Sequence, residues 1–477
     1  MIFASKAFFL FLITVLVLYH LLGRRSHRYA VLLGASWLFY AWISPQYLWV
    51  IALCTVIDYA AGLMIEGTND ERTRKGWLCV SIVANLGLLF AFKYTTFVYD
   101  NAVSLAQLCG VTIAERHWDI LLPLGISFHT FQGISYTVDV YRRQIKAVRS
   151  FLDYALFVAF FPQLAAGPIV RAVEFLPQMT TPPRVTARHI SDGLHYFLLG
   201  LFKKLFIADQ LDVLFVSPVF ADPAAYDAAA HRWACLAWAA QIYCDFSGYS
   251  DMAVGCAKWF GFELPRNFNF PYLATSITDF WRRWHLSLST WLRDYVYFPL
   301  GGSKRGELRT YFNLLVLFVL CGLWHGATWA WFVYGVYNGV LMSLHRMWDR
   351  LFTGPLAGWS ALRSTWAWKL GAWFATLVQV AAGLILIRMP NWESGWLMMQ
   401  SLFAVDLFKT WSGAIPVWVP CLLMLVVLGH LLSGWRNRVC GLLEMPSTVR
   451  AMVYTVAVIL LFTLSPGVGK TFIYLQF

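Results

Sequence analysis

The chain has 477 residues, of which 59% are hydrophobic, 17% aromatic and 13% charged, and its formal net charge is +12. Soluble domains carry about 25% charged residues, so composition excludes a string of soluble domains and indicates an all-α polytopic membrane protein, with a mean hydropathy of +0.59. The positive charge does not point to nucleic acid, because it is concentrated in short loops such as Arg24-Arg25-Ser26-His27-Arg28 and Arg142-Arg143, the positive-inside pattern of a protein surrounded by membrane lipid.

In chain order, apolar runs over 7–23, 29–44, 47–65, 77–98 and 119–140 read as membrane crossings, since about 20 apolar residues span the ~30 Å hydrocarbon core. The first is not followed by a small-x-small cleavage site and reads as a transmembrane helix, not a signal peptide. Loops 24–28, 66–76 and 141–149 are the basic ones, and as alternate loops they fall on one side, the cytoplasm. The N-terminus and loop 99–118 are then expected outside.

The middle is less regular. Residues 151–167 and 193–217 are helical and apolar, joined through a Pro-rich loop at 177–184. Residues 232–262 are apolar but carry Asp245, Asp251 and several glycines, and 264–309 are amphipathic and basic. The latter is too polar to span simply and is expected to form re-entrant or interfacial helices, tolerated where protein covers the backbone. Further spans follow at about 310–323, 326–345, 368–389, 416–434 and 450–465, giving roughly ten or eleven crossings. The whole chain, 1–477, reads as one integral unit: N-terminal spans 1–150, a core 151–347 and C-terminal spans 348–477. No internal repeat or low-complexity tract is visible. The nine cysteines form no CxxC pair and have no zinc spacing with histidines, so buried free thiols are expected, with no disulfide and no metal.

His325 is the first candidate for chemistry. It lies in Leu323-Trp324-His325-Gly326-Ala327, inside a stretch without Asp, Glu, Lys or Arg from Thr310 to His345. Counting from Arg309, a helix carries it roughly 24 Å along its axis, well within the bilayer. An ionisable group at that depth is a functional candidate, while the bland alternative is a packing histidine bonded to a carbonyl. His20 and His430, in plain Leu-rich helices, fit that alternative.

The second constellation is Asp279-Phe280-Trp281-Arg282-Arg283-Trp284-His285. On a helix, Trp284, Leu288 and Trp291 share a face and Asp279 neighbours Arg283. An interfacial amphipathic helix explains the arginines and tryptophans but not His285. The third is Asp245 to Asp251, followed by Arg266-Asn267-Phe268-Asn269-Phe270-Pro271-Tyr272. Its carboxylates suit metal binding or proton relay in principle, and pairing with Arg or Lys to stabilise broken helices is the favoured reading. Phe161 to Pro168 reads as a structural helix end with a buried Gln. Gly467-Val468-Gly469-Lys470-Thr471 is a decoy phosphate loop, because position 464 is Leu and no strand precedes it.

Together these stretches resemble the membrane-bound O-acyltransferases, in particular the bacterial polysaccharide branch typified by the alginate O-acetyltransferase membrane subunit. The resemblance rests on Leu122 to Phe128, Phe161 to Pro168, Asp245 to Met252, Asp279 to Gly302, Gly322 to Gly326 and Phe472 to Phe477. Ser276 to Gly302 is the most specific, whereas 350–465 carries little signature. It implies a fold of transmembrane helices around re-entrant and interfacial helices with a central tunnel. It also implies that His325 is the catalytic histidine, with His285 as the second key position. Trp281, Arg282, Asn269 and Trp324 become candidates for the donor path, and Asp245, Asp251 and Asp279 for its support. His129 stands where relatives tend to carry Tyr and reads as packing or tunnel lining.

The chemistry implied is acyl transfer from a thioester to a hydroxyl. No bound cofactor is expected, and acetyl-CoA is the expected donor substrate. A hydroxyl needs a base, usually His, and burial favours the neutral imidazole able to accept a proton. The resemblance places the chain in the bacterial inner membrane, passing acetyl outward to a periplasmic acetyltransferase or polysaccharide-modification subunit acting on a cellulose- or alginate-type exopolysaccharide. D-Alanyl or lipid acyl transfer is the alternative within the family. A proton-coupled transporter is the rival class; such proteins often show inverted repeats, and none is visible in this sequence.

Overall fold

The computed structural model describes residues 3, 5–112, 120–164, 167–181, 184–404, 413, 415–432 and 446–464, and every regular element among them is helical. Contacts divide the chain into two units. One comprises 1–194, 253–265 and 326–328, and the other 195–252, 266–325 and 329–477. The decoy loop at 467–471 and the terminal motif at 472–477 lie outside the described residues.

In the first unit, helices Lys6–Leu21, Arg25–Ile43, Leu48–Glu66, Glu71–Leu89 and Ile126–Tyr141 occupy the runs expected to cross. Polar side chains cap two of them. Ser5 accepts from the Phe8 N–H, and Asp70 Oδ2 accepts from the Thr73 N–H at 2.9 Å and hydroxyl at 2.6 Å, satisfying donors that a helix start leaves open. Those bonds hold the Asp70 carboxyl below its ordinary range. The expected loop from residue 99 is instead helical to Leu108. A π-helical turn at Phe90–Tyr94 leads into Thr95–Leu108, and the Thr95 hydroxyl donates to the Ala91 carbonyl at 2.9 Å across the widened turn.

The rings of Phe8, Phe11, Phe39 and Phe161 gather within this unit. A polar knot, unanticipated from sequence, ties three of its helices. Asp58 is 1% exposed and accepts from Ser81 Oγ at 2.6 Å and Asn85 Nδ2 at 2.8 Å. A Cβ on Gly133 would lie 2.0 Å from Asp58 Oδ2, so glycine is what lets the Ile126–Tyr141 helix approach the carboxylate. Away from water, such a group needs its partners inside the protein.

In the second unit one stretch departs from its expected form. Residues 232–262, expected as broken helices, lie mostly in one continuous helix, Ala228–Trp259, whose last residues belong to the first unit. Neither aspartate breaks it, because each is paired, as expected, with a basic residue. Lys204 Nζ lies 2.5 Å from Asp245 Oδ1 and 2.8 Å from Asp209 Oδ1, and Lys203 Nζ lies 2.6 Å from Asp251 Oδ2. The lysines sit in a π-helical segment, Phe202–Ala208, that continues the Ala187–Leu201 helix. The glycines permit contact instead of a break. A Cβ on Gly248 would lie 2.7 Å from the Gly200 carbonyl oxygen, and one on Gly200 would lie 2.4 Å from that of Gly248.

Residues 264–309 behave as expected of segments that do not span. Their helices, Ile277–Trp281, Leu286–Leu292 and the π-helical Arg293–Tyr297, are all short. Later helices Glu307–His325, Trp329–Thr353, Trp366–Arg388, Trp418–Leu431 and Ser447–Leu464 follow the expected spans. Among the described residues, Pro45–Glu66, Glu71–Leu108, Glu307–His325 and Trp366–Arg388 are long and apolar enough to cross a membrane, and Lys6–Leu21 and Trp418–Leu431 are shorter apolar helices. The chain is an all-α polytopic membrane protein.

Two consequences are measurable by thermal denaturation of the detergent-solubilised protein. Gly248→Ala forces the crossing with Gly200 apart and is expected to cost about 1–3 kcal/mol. Gly34→Ala, where an added Cβ meets nothing within 4 Å, should be neutral or stabilising by about 0.5–1 kcal/mol. Lys204→Met strands two buried carboxylates and should cost about 3–5 kcal/mol. Lys203→Met should cost less, because Lys203 and Asp251 keep 18% and 22% of their side-chain surface exposed. Equal losses at the two lysines would remove the buried triad from this account.

Candidate active site

The Glu307–His325 helix begins after Gly306, which has φ 86°. Glu307 in its first turn is joined to Arg346 and Arg350 of the following helix. The same two helices touch backbone to backbone further along. A Cβ on Gly322 would lie 2.2 Å from the Trp331 carbonyl oxygen, and one on Gly335 would lie 2.5 Å from that of Phe318. This crossing sets the place of His325, the last residue of its helix and 7% exposed. Its ring stacks on Trp331 with centroids 4.9 Å apart, and Trp324 meets it edge-on at 4.8 Å.

The segment around His285 departs from the single amphipathic helix that its spacing suggests. Ile277–Trp281, capped by Ser276 accepting from the Asp279 N–H, stops at Arg282. A second helix starts at Leu286. Between them His285 adopts the left-handed conformation, φ 45° and ψ 55°, which is uncommon for a residue with a Cβ. The Asn267 main-chain carbonyl accepts from the Leu286 N–H at 2.9 Å, and Asn267 Oδ1 accepts from the Ser287 N–H at 3.3 Å. These bonds secure the break. Trp284, Leu288 and Trp291 are buried as the spacing predicts.

His285 has no exposed surface. Its Nδ1 is 3.0 Å from Asn267 Oδ1, and the Phe246 ring lies edge-on at 4.7 Å. The Trp324 ring is 6.1 Å from it, and the His325 ring 6.2 Å, centroid to centroid. Two histidines 40 residues apart in sequence (325 − 285) thus share one buried, aromatic surround.

The other residues singled out from the sequence fall unevenly around this pair. Trp324 belongs to it. Trp281 is buried one layer away, where its Nε1 donates to Asn338 Oδ1 at 3.2 Å and its ring meets Phe318 at 5.0 Å. Asp279 is tied to Arg283 at 2.9 Å, an i,i+4 pair that steadies a short helix. Arg282 and Asn269 are exposed, and the Asn269 N–H donates to the Arg283 carbonyl. Asp245 and Asp251 face the lysines described above. The asparagine that touches His285 is Asn267, two residues from the one the sequence reading chose. Nothing in the alternation of Asn267-Phe268-Asn269-Phe270 distinguishes them before the chain folds.

Asn267, Phe246, Trp331, Lys203 and Lys204 were all missed as participants. Adjacent lysines inside an apolar helix were the available signal for the last two. His129 is 1% exposed in the first unit. His20 and His430 take the carbonyl partners of packing histidines, Trp259 O at 3.1 Å and Val426 O at 2.8 Å.

An imidazole pair of this kind, shielded from water, suits proton transfer to and from a bound reactant. Comparison with known proteins gives the reaction class. Residues 129–385 match the model of the membrane-bound O-acyltransferase family. The chain is 40% identical over 419 residues to the Pseudomonas aeruginosa protein named "Probable alginate O-acetylase AlgI", covering 86% of this chain and 76% of that one. It is 35% identical to the Helicobacter pylori peptidoglycan O-acetyltransferase, covering 78% and 73%, and 27% identical to the Bacillus subtilis teichoic acid D-alanyltransferase, covering 63% and 76%. On the extent of these matches, the chain belongs to the membrane-bound O-acyltransferase family and is an O-acyltransferase.

Proposed function

We propose that this enzyme takes acetyl from a cytosolic thioester, acetyl-CoA, and delivers it across the bacterial inner membrane for O-acetylation of an exported polysaccharide, with His325 as general base. The observation that carries this reading is the buried His285–His325 pair, with rings 6.2 Å apart. The acetyl group and the glycan class are supported by the names of two relatives, alginate O-acetylase and peptidoglycan O-acetyltransferase, at 40% and 35% identity. D-Alanyl transfer, named for a relative at 27%, is the second reading within the same chemistry.

In the reaction, His325 takes the proton of the acceptor hydroxyl as the oxygen attacks the thioester carbonyl carbon. The C–O bond forms, the C–S bond breaks, and the thiolate leaves and takes up the proton that His325 removed. The aromatic surround keeps water, a competing acceptor, away from the thioester. His285 orients the reactants or carries protons beside His325. Trp324 lines the site, and Trp281, Arg282 and Asn269 flank the donor path. Asp245, Asp251 and Asp279 act through the ion pairs that hold its helices.

The acetyl group passes outward to a periplasmic partner enzyme that completes modification of a cellulose- or alginate-type polymer. An N-terminus in the periplasm follows from the positive-inside pattern. It is supported by helix pairs, Arg25–Ile43 with Leu48–Glu66 and Glu71–Leu108 with Ile126–Tyr141, separating the three basic loops.

Acetyl transfer from labelled acetyl-CoA into the acceptor fraction, and the acetyl content of the secreted polymer by NMR, test the reading. His325→Ala should lower transfer by about 10²–10⁴-fold, the usual contribution of a general base, at normal expression and melting temperature. Undiminished acetylation by that variant would sink the enzyme assignment to this site. Full activity in His285→Ala would leave His285 a structural role only.

A further inference from the structure

Asn267, 3% exposed, faces the His285 segment with both of its oxygens. Besides the main-chain bond to Leu286, its Oδ1 lies 3.0 Å from His285 Nδ1, 3.3 Å from the Ser287 N–H and 2.9 Å from Ser287 Oγ. Its Nδ2 lies 3.3 Å from Ser250 Oγ. These neighbours fix which end of the amide is which. A backbone N–H can only donate, so the amide atom facing Ser287 is the oxygen, and the NH2 group points to the Ser250 hydroxyl. An amide oxygen only accepts, so the His285 nitrogen against it carries hydrogen. A neutral imidazole has one N–H and one acceptor nitrogen, and a ring without exposed surface favours the uncharged state because charge is costly away from water.

We infer that Asn267 is a positioning residue that locks His285 as the Nδ1–H tautomer, so that His285 meets the reactants through an acceptor nitrogen, Nε2. The nitrogen that carries the proton in a histidine is set by the bond the other one makes, and here that bond is imposed by the same residue that holds the left-handed turn at His285. The consequence rests on the acyl-transfer reading above. Within it, His285 receives a proton or a hydrogen bond at Nε2 and gives one only after receiving one. It therefore does not stabilise the thioester carbonyl oxygen by donating to it, and it is suited to accept from the hydroxyl or to relieve His325 of its proton. The left-handed break adds a reason for Asn267. A continuous helix from Ile277 would carry the ring elsewhere, and the bonds to Leu286 and Ser287 prevent it.

The test uses the full-length protein in lipid vesicles with histidine rings labelled with 15N. Solid-state NMR, with the His285 signals assigned by their loss in His285→Ala, is expected to show the ring proton on Nδ1. Asn267→Ala should move it to Nε2 or to a mixture and lower kcat by roughly 10–100-fold, as loss of a supporting hydrogen bond at a reactive group does, while KM for acetyl-CoA stays nearly constant. Asn267→Asp retains an acceptor and should keep the Nδ1–H signal and recover most of kcat. If Asn267 only supports the fold, the buried charge of Asp is worse than Ala and the order reverses. A wild-type proton on Nε2, or Asp performing no better than Ala, overturns the inference. His325→Ala, assayed alongside, separates the two proposals. Its full activity defeats the acyl-transfer reading and leaves the tautomer result standing, whereas an inactive His325→Ala beside a fully active Asn267→Ala defeats this inference alone.

Discussion

A polar side chain withdrawn from water in an apolar interior must find its partner within the protein, and that constraint arranges nearly everything around the histidine pair. Leaving such a group unpaired costs several kcal/mol in hydrocarbon, so helices carrying polar residues are drawn to each other at particular points. Lys204 between Asp209 and Asp245 is one such point, and Lys203 with Asp251 another. Asn267 with the 285–287 segment is a third. In the first unit, Asp58 with Ser81 and Asn85, and Ser81 with Thr137, do the same for three other helices.

Glycine supplies the complement. At Gly133, Gly200, Gly248, Gly322 and Gly335 another chain segment occupies the space a Cβ would need. Small residues at helix contacts are the usual means of close packing in membranes, where lipid offers no hydrophobic drive for helices to associate. Polar pairs choose which helices meet, and glycines set how closely they meet. The crossing at Gly322 and Gly335 shows the result, because it leaves His325 at a helix end, stacked on Trp331 and beside His285.

How much of this was legible beforehand differed by kind of residue. The spans were legible because ~20-residue apolar runs are set by bilayer thickness, and helices stand at the expected places from Lys6 to Leu464. His325 was legible because an ionisable residue stands out against an uncharged background, and His285 because the amphipathic pattern left it unexplained. The pairing of Asp245 and Asp251 with basic residues was expected, but which residues would answer them was not. Residues 232–262 read as broken because glycines and aspartates disfavour helices taken alone. In place, those aspartates are paired with lysines and Gly248 packs against backbone.

The sequence by itself determined the class of the molecule, the positions of most of its helices and the two histidines, since hydropathy and isolated polar residues are properties of short stretches. Tertiary structure decided that His325 and His285 share one buried surround, that Asn267 and not Asn269 touches the ring, and that His285 sits in a left-handed break. These depend on residues far apart in the chain meeting across helix crossings, and no local pattern encodes which of two like side chains will face inward.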